Sequence, residues 1–149
     1  MRRIIYSVLL SLFVVSPALA LDIQPGLWQD TETGDVNGKP VPPKTSTDCV
    51  SPQDATDIVK RAQTEMQASM KDQAQQCSKL DVRQNGNVIT FEMKCGDPKE
   101  GSIEAIMVMT IQSPQHTSSV TKTTKNFMGQ KMVSNLTTDS KWVGAACKK

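Results

Sequence analysis

The chain has 149 residues, with 17 Lys and Arg, 15 Asp and Glu, one His and 4% aromatic residues. That length supports one domain around one core. Near-neutral charge excludes the strong basic excess of a nucleic-acid binder, so no nucleic-acid partner is expected.

Met1-Arg2-Arg3, the apolar run Ile4 to Val15 and Ala18-Leu19-Ala20 follow the three-part pattern of a secretory signal peptide. Cleavage is expected at Ala20/Leu21, which makes residues 1–20 the signal and residues 21–149 a single secreted domain. The apolar run falls short of the roughly 20 residues that span a bilayer, so no stable membrane anchor is expected. The protein is therefore expected in the periplasm or secreted. Loss of Arg2 and Arg3 leaves fifteen bases against fifteen acids. These are unevenly spread. Residues 117–149 hold Lys122, Lys125, Lys131, Lys141, Lys148 and Lys149 against Asp139 alone.

Pro25-Gly26-Leu27-Trp28 opens the domain, and the first strand follows with Leu27, Gln29, Thr31 and Thr33 on one face and Trp28 on the other. Asp35 to Pro43, with Asn37-Gly38 and three prolines, reads as a loop or edge connection. A short second strand covers Thr45 to Val50. Ser51-Pro52-Gln53-Asp54 is a helix-start signature: a capping serine, proline in the first turn and an acid three residues on. Ala55, Ile58, Val59, Ala62, Met66, Met70 and Ala74 then recur at three and four residues. The spacing predicts one long amphipathic helix from about Pro52 to Gln76, packed on a sheet.

The remainder reads as strands. Lys79 to Gln84 and Val88 to Cys95 flank the hairpin signal Asn85-Gly86. Ser102 to Ile111 aligns Ile103, Ala105, Met107, Met109 and Ile111 on one face and Ile106 and Val108 on the other, so both faces are expected to be partly buried, as in a central strand. A Ser113-Pro114-Gln115-His116 turn leads to a Thr-rich strand, Thr117 to Asn126, and Gln130 to Val143 closes the chain. The fold class expected is α+β: an antiparallel β-meander of six to seven strands with one long amphipathic helix, stapled by disulfides.

Four cysteines in an oxidising compartment read as bridges, with three possible connectivities. The Asn85-Gly86 hairpin sets Cys77 nearly opposite Cys95, which favours Cys77–Cys95 and leaves Cys49–Cys147. No two cysteines have the close spacing of a zinc site.

The order Pro25-Gly26-Leu27-Trp28, Pro42-Pro43, Cys49-Val50-Ser51-Pro52, Cys77, Cys95 and a final Gly144 and Cys147 resembles a family of secreted bacterial proteins known only as domain of unknown function 3617. The resemblance covers the whole expected mature chain. It implies location, bridges and fold, and it carries no catalytic residues.

Chemistry is sparsely encoded. His116 sits in a turn where a solvated side chain is expected, and no G-x-S-x-G accompanies it. Asp30/Glu32 and Asp54/Asp57 are explained by a strand face and a helix start. Trp28 and Trp142 are expected to anchor the core rather than form a stacking platform. Met107 and Met109 form an M-x-M pair of soft ligands suited to Cu(I), although they also continue an apolar stripe. The expected function is non-enzymatic and needs no cofactor: a periplasmic binding module for an apolar small molecule, an envelope component or a protein partner. Cu(I) handling through Met107 and Met109 is the alternative.

Overall fold

The computed structural model describes residues 22–73, 77–97 and 100–147. The expected signal peptide and its Ala20/Leu21 junction lie outside the described residues, as do residues 74–76 at the end of the expected helix. The first hairpin is β1 (Gly26–Val36) and β2 (Lys39–Val50). Two helices follow, α1 (Pro52–Thr56) and α2 (Ile58–Gln73). The chain then runs through β3 (Cys77–Asn85), β4 (Val88–Asp97), β5 (Gly101–Ser113), β6 (His116–Phe127) and β7 (Gln130–Gly144). All seven strands form one antiparallel sheet in the order β2-β1-β7-β6-β5-β4-β3. The chain meanders from β3 to β7, and β1 then pairs with β7, so the helices bridge the two sheet edges, β2 and β3.

The expected α+β fold with one long amphipathic helix is corrected. The described helical residues form two short helices, separated at Asp57, against a dominant antiparallel sheet. Ser51 starts α1 as its signature requires, its Oγ accepting the Asp54 amide at 3.2 Å. At Asp57 the backbone leaves helical geometry (φ −148°, ψ 68°), and the Asp57 carboxylate accepts the Lys60 amide at 3.0 Å. Asp57 thus ends α1 and caps α2, because a short polar side chain offers the backbone an alternative to helix continuation. The break has a packing consequence. Ala55 is buried against Trp28 and Val50, whereas Ile58 and Val59 pack on Ile89, Phe91 and Ile111. Two short rods let one apolar stripe reach two separate parts of a twisted sheet.

A second correction concerns β2. The segment Asp35 to Pro43 is strand except for the turn at Asn37-Gly38. Prolines 40, 42 and 43 are tolerated because β2 is an edge, where one side of the backbone has no ladder to supply.

Direct cross-strand partners share a face, so the register assigns every side chain. One face carries Trp28, Trp142, Leu136, Thr117, Ile111, Met109, Met107, Ala105, Ile103, Ile89, Phe91 and Met93. It meets α1 and the start of α2, and we call it the inner face. The outer face carries Ile106, Val108 and Val120, each exposed. β5 is a central strand, but Ile106 and Val108 on its second face, expected to be partly buried, are exposed.

Candidate functional site

The Pro25-Gly26-Leu27-Trp28 motif is the knot of the near end of the sheet. Trp28 is buried and its Nε1 donates to the Gln24 carbonyl at 2.8 Å. Trp142, paired with Trp28 across β1 and β7, donates from Nε1 to the Pro25 carbonyl at 3.0 Å. Gly26 adopts φ +131°, and a Cβ there would overlap the Gly144 carbonyl oxygen. Ile23 donates its amide to Ala55, and Gln24 to Pro114. The motif therefore joins α1, the β5–β6 turn and both tryptophans. Its residues serve the core; the tryptophans form no open stacking platform.

The disulfides join Cys49 to Cys147 and Cys77 to Cys95. Cys77 and Cys95 are direct partners of β3 and β4. Cys49–Cys147 holds the C-terminal segment to the edge strand β2 with a Cα separation of 5.6 Å. Loop-closure entropy assigns about 3 kcal/mol to the shorter loop and about 4–5 kcal/mol to the longer.

Beside the knot, Asp22, Thr56, Asp57, Ile58, Val59, Gln84 and Ile89 line an open cleft of about 220 Å³. That is below the 300–1,000 Å³ typical of a ligand pocket. Its two carboxylates face no histidine or cysteine. Asp57 is engaged as the α2 cap, and the Thr56 hydroxyl donates to the Gln53 carbonyl at 3.1 Å. Asp54 lies 3.8 Å from Arg61, and Asp30 and Glu32 stand opposite Ser46 and Lys44 on the sheet. Among the described residues no group of three or more His, Cys, Asp or Glu could hold a metal ion.

His116 is not the solvated turn residue that its sequence context implied. It opens β6 and is part-buried, and its Nε2 donates to Asp139 Oδ1 at 2.6 Å. Lys141 reaches the other oxygen of Asp139 at 2.8 Å. The His116 hydrogen bond, then that of Lys141, holds the Asp139 carboxyl below its ordinary range. Only the β6–β7 register brings these residues together, so sequence spacing gave no signal. On the outer face Glu92 is held low chiefly by Lys79 and also by Arg83, and Glu104 by Lys94 at 2.7 Å.

Met107 and Met109 lie on the inner face and pack against the Ile89, Phe91 and Ile111 cluster. Their direct partners on β4 are Phe91 and Ile89. Packing accounts for both. The same face is incompletely covered. Seven apolar side chains are buried among the described residues: Trp28, Val50, Ala55, Ile89, Phe91, Cys95 and Ile111. Ile103, Ala105, Met107, Met109, Met93 and Leu136 remain half-buried on it, and Met132 is 39% exposed.

A disulfide-stapled antiparallel sheet with an apolar, half-covered inner face defines the class of domain. The chain belongs to the family described as "Protein of unknown function (DUF3617)", whose model matches residues 23–147. No curated protein and no solved structure is significantly similar to it. Among the described residues no helix is long and apolar enough to cross a membrane.

Proposed function

We propose that the protein is a non-enzymatic binding module that holds an apolar small molecule or acyl chain of the cell envelope on its inner face. The observation that carries this reading is the half-covered stripe Ile103, Ala105, Met107 and Leu136, aligned in register beyond the buried clusters. Apolar side chains on one face of a sheet are favourable only when something removes them from water, at about 25 cal/mol per Å². The part of the face nearest α1 and the start of α2 has its cover. The remainder is suited to a ligand that supplies dispersion contact and asks for no hydrogen bonds. Two disulfides fit residence in an oxidising compartment, periplasmic or extracellular, in line with the signal-like N-terminus.

The test is a displacement assay with delipidated protein and a naphthylamine dye that fluoresces in apolar surroundings. The wild type is expected to bind the dye and release it to long-chain fatty acid. Ala105→Glu, on the inner face, is expected to weaken dye binding at least tenfold. Val108→Glu, on the outer face of the same strand, leaves it unchanged. Equal effects of the two substitutions, or no dye binding by the wild type, would refute the reading.

A further inference from the structure

A second apolar surplus stands at the far end of the sheet, on the tip of the β6–β7 hairpin. Phe127 is 64% exposed and Met128 80% exposed. Beyond the pair Val36 and Ser134, Val133 is still tied to Asn37 by two hydrogen bonds, and residues 130–132 run past it, so the tip projects beyond that side of the sheet. The turn has an uneconomical composition. Met128 holds φ +49° and Gly129 φ +78°, positive values at both central positions, as a type I′ turn requires. The β1–β2 turn of this chain meets the same need with Asn37-Gly38, whereas the β3–β4 turn is centred on Gly86-Asn87 and only its glycine has a positive φ. A methionine in left-handed geometry is disfavoured, and here it gains no burial in return.

Charge surrounds this tip. Residues 117–138 contain Lys122, Lys125 and Lys131 and no carboxylate. Lys125 projects on the inner face and Lys131 on the outer, so cations flank the apolar tip on both sides. Among the described residues none of the three forms an ion pair within 4 Å, although Lys131 is near enough to Glu104 to help lower its pKa. The neighbouring β4–β5 connection carries Asp97, Lys99 and Glu100 in sequence, so it is mixed in charge and the cations beside the tip come chiefly from the β6–β7 hairpin.

We infer that this tip is a contact site for an anionic lipid bilayer. Phe127 and Met128 enter the boundary between headgroups and acyl chains, and Lys125 and Lys131 meet lipid phosphates. A projecting apolar tip with cations on both flanks matches a planar surface whose charge is negative and whose interior is apolar. It does not match a partner's groove, which would call for an extended edge or an amphipathic helix face. The inference stands on the hairpin and is independent of the inner-face reading.

Flotation of the secreted, disulfide-bonded protein with vesicles tests it. Vesicles of equimolar phosphatidylcholine and phosphatidylglycerol are expected to carry the protein upward, and pure phosphatidylcholine vesicles are not. Met128→Asn installs the residue that the β1–β2 hairpin uses at the same turn position, so it should fold at least as well as wild type. Combined with Phe127→Ser it is expected to reduce the partition coefficient at least tenfold. Lys125→Gln with Lys131→Gln should reduce it about 25-fold, at roughly fivefold per lysine near a charged surface. Wild-type protein that stays with the buffer, or tip variants that float as well as wild type, would overturn the inference. So would equal binding to both vesicle types. Sedimentation at rising concentration covers the remaining occupant: a dimer abolished by Met128→Asn would assign the tip to a second copy and overturn the bilayer contact.

Discussion

Replacing Asp57 by alanine separates the broken helix from a continuous one, because the two arrangements give opposite signs. In the structure Asp57 ends α1, and its carboxylate accepts the Lys60 amide at 3.0 Å while its carbonyl accepts Arg61 at 3.0 Å. Asp57→Ala keeps the carbonyl contact and removes the cap, a loss of about 0.5–2 kcal/mol. Were the segment one continuous helix, position 57 would be an interior site, and alanine would gain up to about 0.7 kcal/mol over aspartate in propensity. The junction is coupled to global stability, since buried Ala55 precedes it and Ile58 and Val59 follow it into the second cluster. Urea unfolding with both disulfides intact, followed by tryptophan fluorescence, reads the difference, and the midpoint should fall with unchanged slope. At about 1 kcal/mol the thermal midpoint should drop by roughly 3–5 °C for a domain of this size. Asp57→Asn, which retains an accepting oxygen, should recover most of the loss. A variant as stable as wild type or more so would refute the account of the junction.

Gly26→Ala should destabilise by about 3 kcal/mol or more, because the new methyl meets the Gly144 carbonyl at a backbone angle that L-residues avoid; loss of the native tryptophan emission at lower urea checks it. The Asp139 carboxyl is held low by His116 and Lys141, so its contribution to stability is present above the unfolded carboxylate pKa and is lost as pH falls through the lower folded value. Asp139→Asn should therefore flatten the acid limb of the stability curve, and an unchanged limb in acid titration followed by circular dichroism would contradict this. Met107→Leu with Met109→Leu should fold normally, each swap costing less than about 1.5 kcal/mol, as expected of volume-conserving changes in a packed cluster. Anaerobic Cu(I) titration against a chelator should show no tight site in the wild type; a nanomolar site abolished by the double substitution would reverse the packing assignment.

Much of the sheet was legible because its signals are local. Period-two alternation marked Ser102 to Ile111, and the Asn-Gly signal located the β3–β4 hairpin, although its turn falls one residue later, at Gly86-Asn87, and a register irregularity between Cys77 and Lys79 brings Cys77 opposite Cys95. The helix break was not legible from periodicity. Ala55, Ile58 and Val59 keep helical spacing across the junction, and Asp57 lies off their stripe, so the apolar pattern is the same for one helix or two. The competing term is a side-chain cap, visible only as an aspartate among good helix formers. The prolines of β2 misled for a related reason: a proline excludes a central strand, and nothing in residues 39–43 says that this strand will be an edge. His116 and Asp139 lie 23 positions apart and meet through the β6–β7 register.

The inner face shows where a correct pattern stops short of function. Ile103, Ala105, Met107, Met109 and Ile111 form one uninterrupted stripe in sequence, and they do share one face. Burial divides them: Ile111 is buried beside Ile58 and Val59, and the other four are only half-covered. Alternation reports which side chains must leave water; it does not report what covers them. At Ile111 the cover is the chain's own helix start. Farther along β5 the stripe continues to Ile103, which stays half-covered although its cross-strand partner Cys95 is buried. A sequence selected only for a closed core would have had no reason to keep large apolar residues there, since a threonine-rich strand such as β6 forms a sheet without them. The half-exposure of that stripe is what supports the inner-face ligand proposed above.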